Sequence, residues 1–262
     1  MKYIGTSGFS YDDWVGPYYP PDLDKKEWLS FYAREFNTTE LNFTYYRLPN
    51  VWTLARMADK VPPGFRFAVK AYRGMTHERE EDNPQEFVQF VDALQPLIEE
   101  QKFACVLVQF PWSFRASDEN RDYLKLVRER LGELASVVEF RNAEWIADET
   151  FDLLRQLKLG FCCVDQPQLK GLLPPIAEAT SDVAYVRFHG RNASKWWQHE
   201  EAWERYDYQY SPEELAEWVP KIEQLESAAE TVYVYTNNHF SGQAVNTARQ
   251  LRMMLVESTN SN

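Results

Sequence analysis

The sequence predicts a TIM-type (β/α)8 barrel with parallel strands, folded as a single domain over residues 1–262. Short apolar, β-branched runs alternate with amphipathic helical segments, which is typical of βα units. These runs recur from Gly5 to Asn237 about every 33 residues, close to the ~30 residues that one barrel unit needs. A chain of 262 residues with 44% hydrophobic content can bury one core of that size.

Each predicted strand is a short apolar run bounded by turn or helix signals. In chain order the eight strands are Lys2–Gly5, Thr39–Leu41, Phe65–Ala71, Cys105–Phe110, Val137–Phe140, Gly160–Val164, Ala184–Phe188 and Val232–Thr236. Eight units at this spacing are enough to close a barrel.

Capping signals predict the helices that follow the third and fifth strands. Asn83 stands before Pro84 as a cap before a first-turn proline, and apolar residues then recur at helical spacing up to Ile98. After the fifth strand, Glu149–Leu159 forms an amphipathic segment that Gly160 is expected to end. Both segments have the length of ordinary barrel helices.

The sixth and seventh units differ from each other in their helix signals. Residues 171–180 contain Pro174-Pro175, which predicts a missing or distorted helix after the sixth strand. Ser211 and Glu214 form a capping box that opens a helix predicted to run to about Glu226. The tail after residue 257 is expected to be frayed.

An aromatic insertion at 190–210 is too long for a simple βα turn. Its aromatic residues are Trp196, Trp197, Trp203, Tyr206, Tyr208 and Tyr210. The first loop is similar, with Phe9, Tyr11, Trp14, Tyr18 and Tyr19. Two interpretations stay open for both loops: a lid over a site, or an aromatic cluster packed on the barrel rim.

Charge and cysteine usage limit the classes of ligand and compartment. The formal net charge of -12 repels polyanions, so nucleic acid would need a locally basic groove and a small ligand is favoured. No run of 18 apolar residues and no basic-then-apolar leader occurs, which predicts a cytoplasmic protein without a membrane span. The adjacent Cys162 and Cys163 should face opposite sides of a strand, which argues against a disulfide between them.

Polar and charged residues lie where the predicted strands end. In TIM barrels the reactive groups come from these carboxyl ends and from the loops that follow. The residues at these positions are Glu40, Asn42, Lys70, Gln109, Glu139, Arg141, Asp165, Arg187, His189, Asn237 and Asn238. They predict a polar pocket for an anionic ligand, although a buried ion-pair network that stiffens the barrel mouth is the alternative.

The loops after strands seven and eight offer a second reason to expect an anion. In many barrels these loops bind a phosphate through backbone N–H groups and a helix N-terminus. Here Gly190-Arg191 and residues 238–242 occupy those places, and Arg191 adds positive charge. The alternative is that Ser241 and Gly242 simply cap the last helix.

Several segments together resemble the YecE-like family of barrel proteins, domain of unknown function 72. The segments are GTSGFSYDDWVGPYYP, TELNFTYY, RFAVKAYRGMTH, VQFPWSF, EFRNAEW, VDQP, YVRFHGR, YDYQYSPEEL and YTNNHFSGQAVNTA. They extend from about residue 2 to residue 255. The resemblance implies a TIM-type barrel and implies no particular reaction.

A divalent metal is the alternative to a site without a cofactor. Barrels that resemble sugar isomerases and endonuclease IV bind metals through Glu, Asp and His at successive strand ends, and Glu139, Asp165 and His189 stand in such positions. Lys70, Arg141 and Arg187 would neutralise these carboxylates, and neither HxH nor HExxH spacing occurs among the 4 histidines. We therefore expect no cofactor, with a metal as the alternative.

The preferred hypothesis is a metal-independent enzyme that acts on a small phosphorylated or carboxylated molecule, sugar-like substrates included. The predicted catalytic residues are Glu139 and His189, which would exchange protons, with Lys70 and Asp165. The predicted substrate-binding residues are Glu40, Asn42, Gln109, Arg141, Arg187, Arg191, Tyr206, Asn237 and Asn238. One alternative is a metal-dependent phosphodiesterase or DNA-repair activity, and another is a ligand-binding module without chemistry.

Overall fold

A computed structural model of the chain describes residues 1–79 and 84–261, and within them parallel strands close a barrel in the order β1 to β8. The strands are β1 Lys2–Ser7, β2 Thr38–Leu41, β3 Arg66–Lys70, β4 Phe103–Gln109, β5 Ser136–Glu139, β6 Leu159–Asp165, β7 Val183–Phe188 and β8 Thr231–Thr236. β1 pairs with both β2 and β8, which completes the ring. The TIM-type barrel and the place of every predicted strand are confirmed.

Helices follow the strands on the outside of the barrel. The α-helices are α1 Trp28–Tyr32, α2 Phe43–Tyr46, α3 Val51–Ala58, α4 Pro84–Ala93, α5 Gln95–Glu99, α6 Asp118–Leu131, α7 Asp148–Gln156, α8 Pro212–Ala216, α9 Val219–Ala228 and α10 Gln243–Ser261. Short 3-10 helices add Asp12–Trp14, Lys25–Glu27, Arg73–Met75, Ala143–Trp145, Ala202–Tyr206 and Phe240–Gly242.

Prolines divide two of the predicted helices. The segment after β3 is split into α4 and α5, with Pro96 in the first turn of α5. The segment that Ser211 opens is split into α8 and α9, with Pro220 in the first turn of α9. A proline lacks the backbone N–H that would continue the preceding helix. The Ser211–Glu214 capping box is confirmed, whereas the predicted cap Asn83 lies outside the described residues.

The sixth unit lacks its helix, as the proline pair predicted: residues 166–182, all of them described, contain no helix. The predicted role of Gly160 was wrong. Helix α7 ends at Gln156, and Lys158 takes the left-handed conformation at φ 52°, while Gly160 lies inside β6. A Cβ at Gly160 would come within 2.6 Å of the Val183 carbonyl oxygen, so close strand packing explains the glycine.

Alternation along each strand decides which side chains reach the inside of the barrel. In β6, the Cys162 sulfur lies 4.0 Å from Glu139 Oε2 inside the barrel. The Cys163 sulfur instead accepts a hydrogen bond from the Glu178 backbone N–H at 3.4 Å, on the helix side. The predicted opposite orientation of the two cysteines is confirmed, and both thiols are free.

The last helix and the apolar character of the helices bear on two further expectations. Helix α10 continues to Ser261, past residue 257, and the fraying of this tail stays a prediction. Among the described residues, no helix combines the length and apolar character that a membrane crossing requires.

Candidate active site at the barrel mouth

Arg187 joins two buried carboxylates across the carboxyl end of the barrel. It projects from β7, and its Nη2 donates to Glu40 Oε1 of β2 at 2.7 Å, while its Nη1 donates to Glu139 Oε2 of β5 at 2.6 Å. Glu40 and Glu139 have no exposed surface, and Arg187 is 2% exposed. A pair of this kind is stabilised only when the remaining lone pairs are also satisfied. The neighbours of both carboxylates supply those donors.

Ser7, Asn42 and Tyr185 complete the surroundings of Glu40. The Ser7 hydroxyl donates to Glu40 Oε1 and accepts hydrogen bonds from Arg187 Nη2 at 3.0 Å and from Asn42 Nδ2 at 2.8 Å. Tyr185 donates its hydroxyl to Glu40 Oε2 at 2.7 Å. Sequence reasoning missed Ser7 and Tyr185, because it ended the first strand at Gly5 and counted Tyr185 as an ordinary strand residue. The register that pairs Ser7 with Glu40 was the missing signal.

Glu139 is held as a carboxylate by the groups around it. Burial would raise the pKa of Glu139, but the Arg141 and Arg187 guanidinium groups outweigh that effect and hold the pKa well below its usual range. His189 Nε2 lies 3.0 Å from Glu139 Oε1 and donates to it, since an ionised carboxylate only accepts. Glu139 is therefore a permanent negative charge at neutral pH.

His189 is a neutral imidazole with both ring nitrogens engaged. Burial first, and then the Arg141 charge, lower the pKa of His189 to about 3. With its proton on Nε2, the ring accepts at Nδ1 from Asn237 Nδ2, 3.0 Å away. Glu139, His189 and Asn237 thus form one ordered chain of hydrogen bonds that links β5, β7 and the end of β8.

Arg141 is close to Glu139 but only loosely attached to it. Its Nε lies 2.6 Å from Glu139 Oε1, yet the N–H direction makes no hydrogen bond. No side chain or carbonyl in the described ranges accepts a hydrogen bond from the Nη1 or Nη2 atoms of Arg141. Its guanidinium is therefore available to an anion.

Lys70, unlike Arg141 and Arg187, has no carboxylate partner among the described residues. Its ammonium lies 4.5 Å from the centroid of the Tyr45 ring, and no carboxylate in the described part of the chain forms a salt bridge with it. Burial first, and then the Arg187 charge, lower the pKa of Lys70 to about 7. The His77 ring also packs against the Tyr45 ring, with 5.0 Å between the ring centroids. Burial and the Lys70 charge lower the pKa of His77 to about 4.

The aromatic insertion at 190–210 covers this cluster. The Trp196 and Tyr206 rings lie 6.4 Å and 6.2 Å from the His189 ring, and Trp196 is 2% exposed. His239 stacks on Tyr11 of the first loop at 4.6 Å and approaches Tyr206 at 5.7 Å. Both aromatic loops therefore pack over the strand ends, and movement of the insertion as a lid stays a prediction.

The structure does not bring Asp165 and Arg191 to this cluster. Asp165 lies two residues after Cys163 and, like it, points to the outside of the barrel. Its carboxylate accepts hydrogen bonds from Tyr210 at 2.6 Å, from Trp218 Nε1 at 2.7 Å and from Arg191 Nη2 at 2.7 Å. Arg191 also bonds Glu217 at 2.9 Å. They fasten the insertion and α8–α9 to the barrel and do not contact Glu139, while their roles toward a substrate stay predictions.

The three candidate metal ligands Glu139, Asp165 and His189 do not come together in the structure. Asp165 points toward the helices, while Glu139 and His189 point into the mouth. Within residues 1–79 and 84–261, no three His, Cys, Asp or Glu side chains are grouped so that they could hold a metal ion.

Gln109 and Asn238 make structural contacts at the rim. Gln109 Nε2 donates to the Phe110 carbonyl at 2.6 Å, although its register places it beside Glu139. Asn238 Nδ2 donates to the Tyr208 carbonyl and to Thr247 Oγ1, both at 2.9 Å, and so connects the insertion to α10. Their roles toward a substrate stay predictions.

Comparison with known proteins places this geometry among related chains. The family described as "Protein of unknown function DUF72" matches residues 3–262. UPF0759 protein YunF of Bacillus subtilis (strain 168) is 32% identical over 270 residues, which cover 97% of this chain and 95% of that protein.

Two solved structures show the same barrel. A DUF72 family protein from Thermotoga maritima MSB8 superposes with a TM-score of 0.90 at 41% identity, covering 98% of this chain and 99% of that one. A DUF72 family protein from Enterococcus faecalis V583 superposes with a TM-score of 0.87 at 27% identity, covering 98% and 96%.

Proposed function

Since the chain belongs to the DUF72 family of proteins of unknown function, we propose from the barrel mouth itself that it is a metal-independent enzyme acting on a small carboxylated or phosphorylated molecule. The observation that carries this proposal is a surplus of positive charge. Lys70, Arg141 and Arg187 face two carboxylates, Glu40 and Glu139, and Arg187 hydrogen-bonds both of them. Arg141 and Lys70 are left with hydrogen-bond donors for an anion.

Charge of this sign is unusual in a protein whose formal net charge is -12. Keeping cations in a buried mouth costs several kcal/mol unless they are paired or meet a ligand. The carboxylates offset part of that cost, and an anionic ligand would offset the rest. The cover formed by Trp196 and Tyr206 over His189 favours a small ligand over a polymer.

The proposed roles differ from the sequence-based expectation in one respect. Glu139 accepts from Arg187 and His189, and both ring nitrogens of His189 are engaged, so this pair is poorly placed to exchange protons with a substrate. We assign the reacting group to Lys70, because its lowered pKa of about 7 lets its amine lose a proton near neutrality. Glu139 and His189 then position Arg141 and Asn237.

Anion binding tests this proposal directly. Inorganic phosphate, oxalate and glycolate are titrated against the purified protein and followed by thermal shift and calorimetry. We expect saturable stabilisation by at least one of them, which weakens as the pH rises through 7 and Lys70 loses its charge.

The variant Arg141→Gln should weaken that binding by about tenfold or more, since a charge-assisted hydrogen bond is worth roughly 1.5–3 kcal/mol. Arg155→Gln is the matched control, because Arg155 lies exposed on α7 in an ion pair with Asp152. Failure of all three anions to stabilise the protein, or equal binding by both variants, contradicts the proposal.

A further inference from the structure

Lys70 is a nucleophilic side chain in the mouth that forms no hydrogen bond with the described residues. Its Nζ lies at the carboxyl end of β3, over the Tyr45 ring at 4.5 Å, and no described carboxylate oxygen approaches it within the 4.0 Å of an ion pair. An ammonium group in a partly buried site normally has such a partner. Here both nearby carboxylates are hydrogen-bonded to Arg187 instead.

We infer that Lys70 is a nucleophile that forms an imine with the carbonyl carbon of a small aldehyde or ketone that also carries a carboxylate or phosphate. This inference rests on the proposed anion site and names the class of its substrate. A lysine becomes nucleophilic when it is desolvated or placed beside another cation, and Lys70 meets both conditions.

The surroundings of Lys70 leave a large fraction of its amine unprotonated near neutral pH. The charged groups that act on Lys70 itself are Arg187, Glu139, Glu40 and Arg141. The ring that it contacts belongs to Tyr45, which also packs against His77; Tyr46, Arg73, Glu78 and Tyr206 act on Tyr45, and Arg79 acts on His77. Burial and Arg187 lower its pKa from 10.5 to about 7. At pH 7 its unprotonated fraction is therefore about a thousandfold larger than that of an unperturbed lysine.

The covalent step balances without any added oxidant or reductant. The unprotonated Lys70 nitrogen attacks the carbonyl carbon, a C–N bond forms, and the carbonyl π pair moves to the oxygen. The two protons of the amine leave the nitrogen and depart with that oxygen as water, which leaves a C=N double bond. Once protonated, this imine withdraws electrons from the neighbouring carbon, the chemistry that Schiff-base lysines supply.

Arg141 and the aromatic cover explain why the carbonyl compound should be small and anionic. The Nη atoms of Arg141 are available for a carboxylate or phosphate, and the Arg141 charge acts on Lys70 across the same site. Trp196 and Tyr206 cover the mouth, which slows hydrolysis of an imine by bulk water.

Reductive trapping on the full chain tests the inference. Glyoxylate, the smallest anionic aldehyde, is added with sodium cyanoborohydride at pH 7, and the modified lysines are identified by peptide mass mapping. We expect Lys70 to be alkylated at least about a hundredfold faster than Lys125, which is exposed on α6 and paired with Asp122. Oxalate cannot form an imine, so we expect it to slow the labelling of Lys70 by occupying the proposed anion site.

Two variants make the test specific. Lys70→Arg retains the positive charge and should lose the fast labelling, whereas Lys125→Arg should keep it. Below pH 7 the rate at Lys70 should fall tenfold per pH unit as the amine becomes protonated.

The results separate this inference from the proposed function. Uniform labelling of surface lysines with no preference for Lys70, in a protein that still binds phosphate or oxalate through Arg141, overturns the imine and leaves the anion site in place. Uniform labelling together with absent anion binding overturns both. Fast labelling of Lys70 that oxalate and Lys70→Arg abolish supports both.

Discussion

At the residue scale, Arg187 and Lys70 differ in how their positive charges are compensated. Arg187 is buried between two carboxylates and cannot be deprotonated in a protein. Lys70 instead lies over the Tyr45 ring, and burial and Arg187 lower its pKa to about 7. The same positive neighbour that Glu40 and Glu139 require therefore makes Lys70 easy to deprotonate.

This difference predicts a pH dependence of stability that belongs to Lys70. In the unfolded chain its amine keeps its proton up to about pH 10.5, but in the folded protein it loses the proton near pH 7. Between those pH values the unfolded state binds more protons, so the free energy of unfolding should rise with pH, by up to about 1.4 kcal/mol per pH unit. Lys70→Met should remove this rise and should stabilise the protein most at pH 7 and below.

Urea unfolding from pH 6 to pH 10 measures the effect, with Lys125→Met as the control that keeps the rise. Parallel curves for the wild type and Lys70→Met would show that the folded environment of Lys70 does not lower its pKa.

At the element scale, the insertion at 190–210 and helices α8 and α9 depend on one buried carboxylate. Asp165 accepts from Tyr210 at the end of the insertion, from Trp218 just before α9 and from Arg191 at the start of the insertion. Gly190 adds a backbone hydrogen bond to the Tyr210 hydroxyl at 2.9 Å. The insertion that covers the mouth is therefore held in part by a carboxylate on the outer face of β6.

Asp165→Asn should destabilise the fold by about 3–5 kcal/mol, because an amide cannot accept from three donors and its own NH2 would face them. The affinity of the folded variant for phosphate or oxalate should stay within about twofold of the wild-type value, since Asp165 lies outside the mouth. Urea unfolding and calorimetry give the two readouts. Normal stability with lost anion binding would restore Asp165 as a residue of the site.

At the scale of the whole molecule, Arg187 ties three strands that are far apart around the barrel. It connects β7 to β2 and β5 through Glu40 and Glu139, and Tyr185 reinforces the link to β2. The residues it joins are separated by 147 and 48 positions in the chain. The polar cluster of the mouth is therefore a network that spans the barrel.

Arg187→Met should lower the free energy of unfolding by about 3–5 kcal/mol, because it leaves Glu40 buried without a cationic partner. The double variant Arg187→Met, Glu40→Gln should recover part of that loss, since the uncompensated charge is removed. Arg155→Met, which breaks an exposed pair, should cost less than about 1 kcal/mol. A small effect of Arg187→Met in urea unfolding would contradict a network that holds the barrel.

The sequence alone determined the barrel, the order of its strands, the missing sixth helix and the ring of polar strand ends. These features depend on local signals, namely the period of apolar residues, capping boxes and prolines, which act within a few residues of each other. It also placed Glu40, Lys70, Glu139, Arg187 and His189 on one rim, because parallel strands of a barrel share one carboxyl end.

Only the tertiary structure decided which of these side chains meet. Asp165 is the last residue of a strand that is buried on both faces, so no polar alternation along β6 marks its outward direction. A shift of one residue moves a side chain to the opposite face. The sequence also could not predict the partners of Arg187. Its contacts with Glu40, Glu139 and Ser7 join segments that are distant in the chain, and the register of these segments is set when the barrel closes. Lys70 differs from Arg187 for the same reason. The closed barrel pairs Glu40 and Glu139 with Arg187 and leaves Lys70 against the Tyr45 ring.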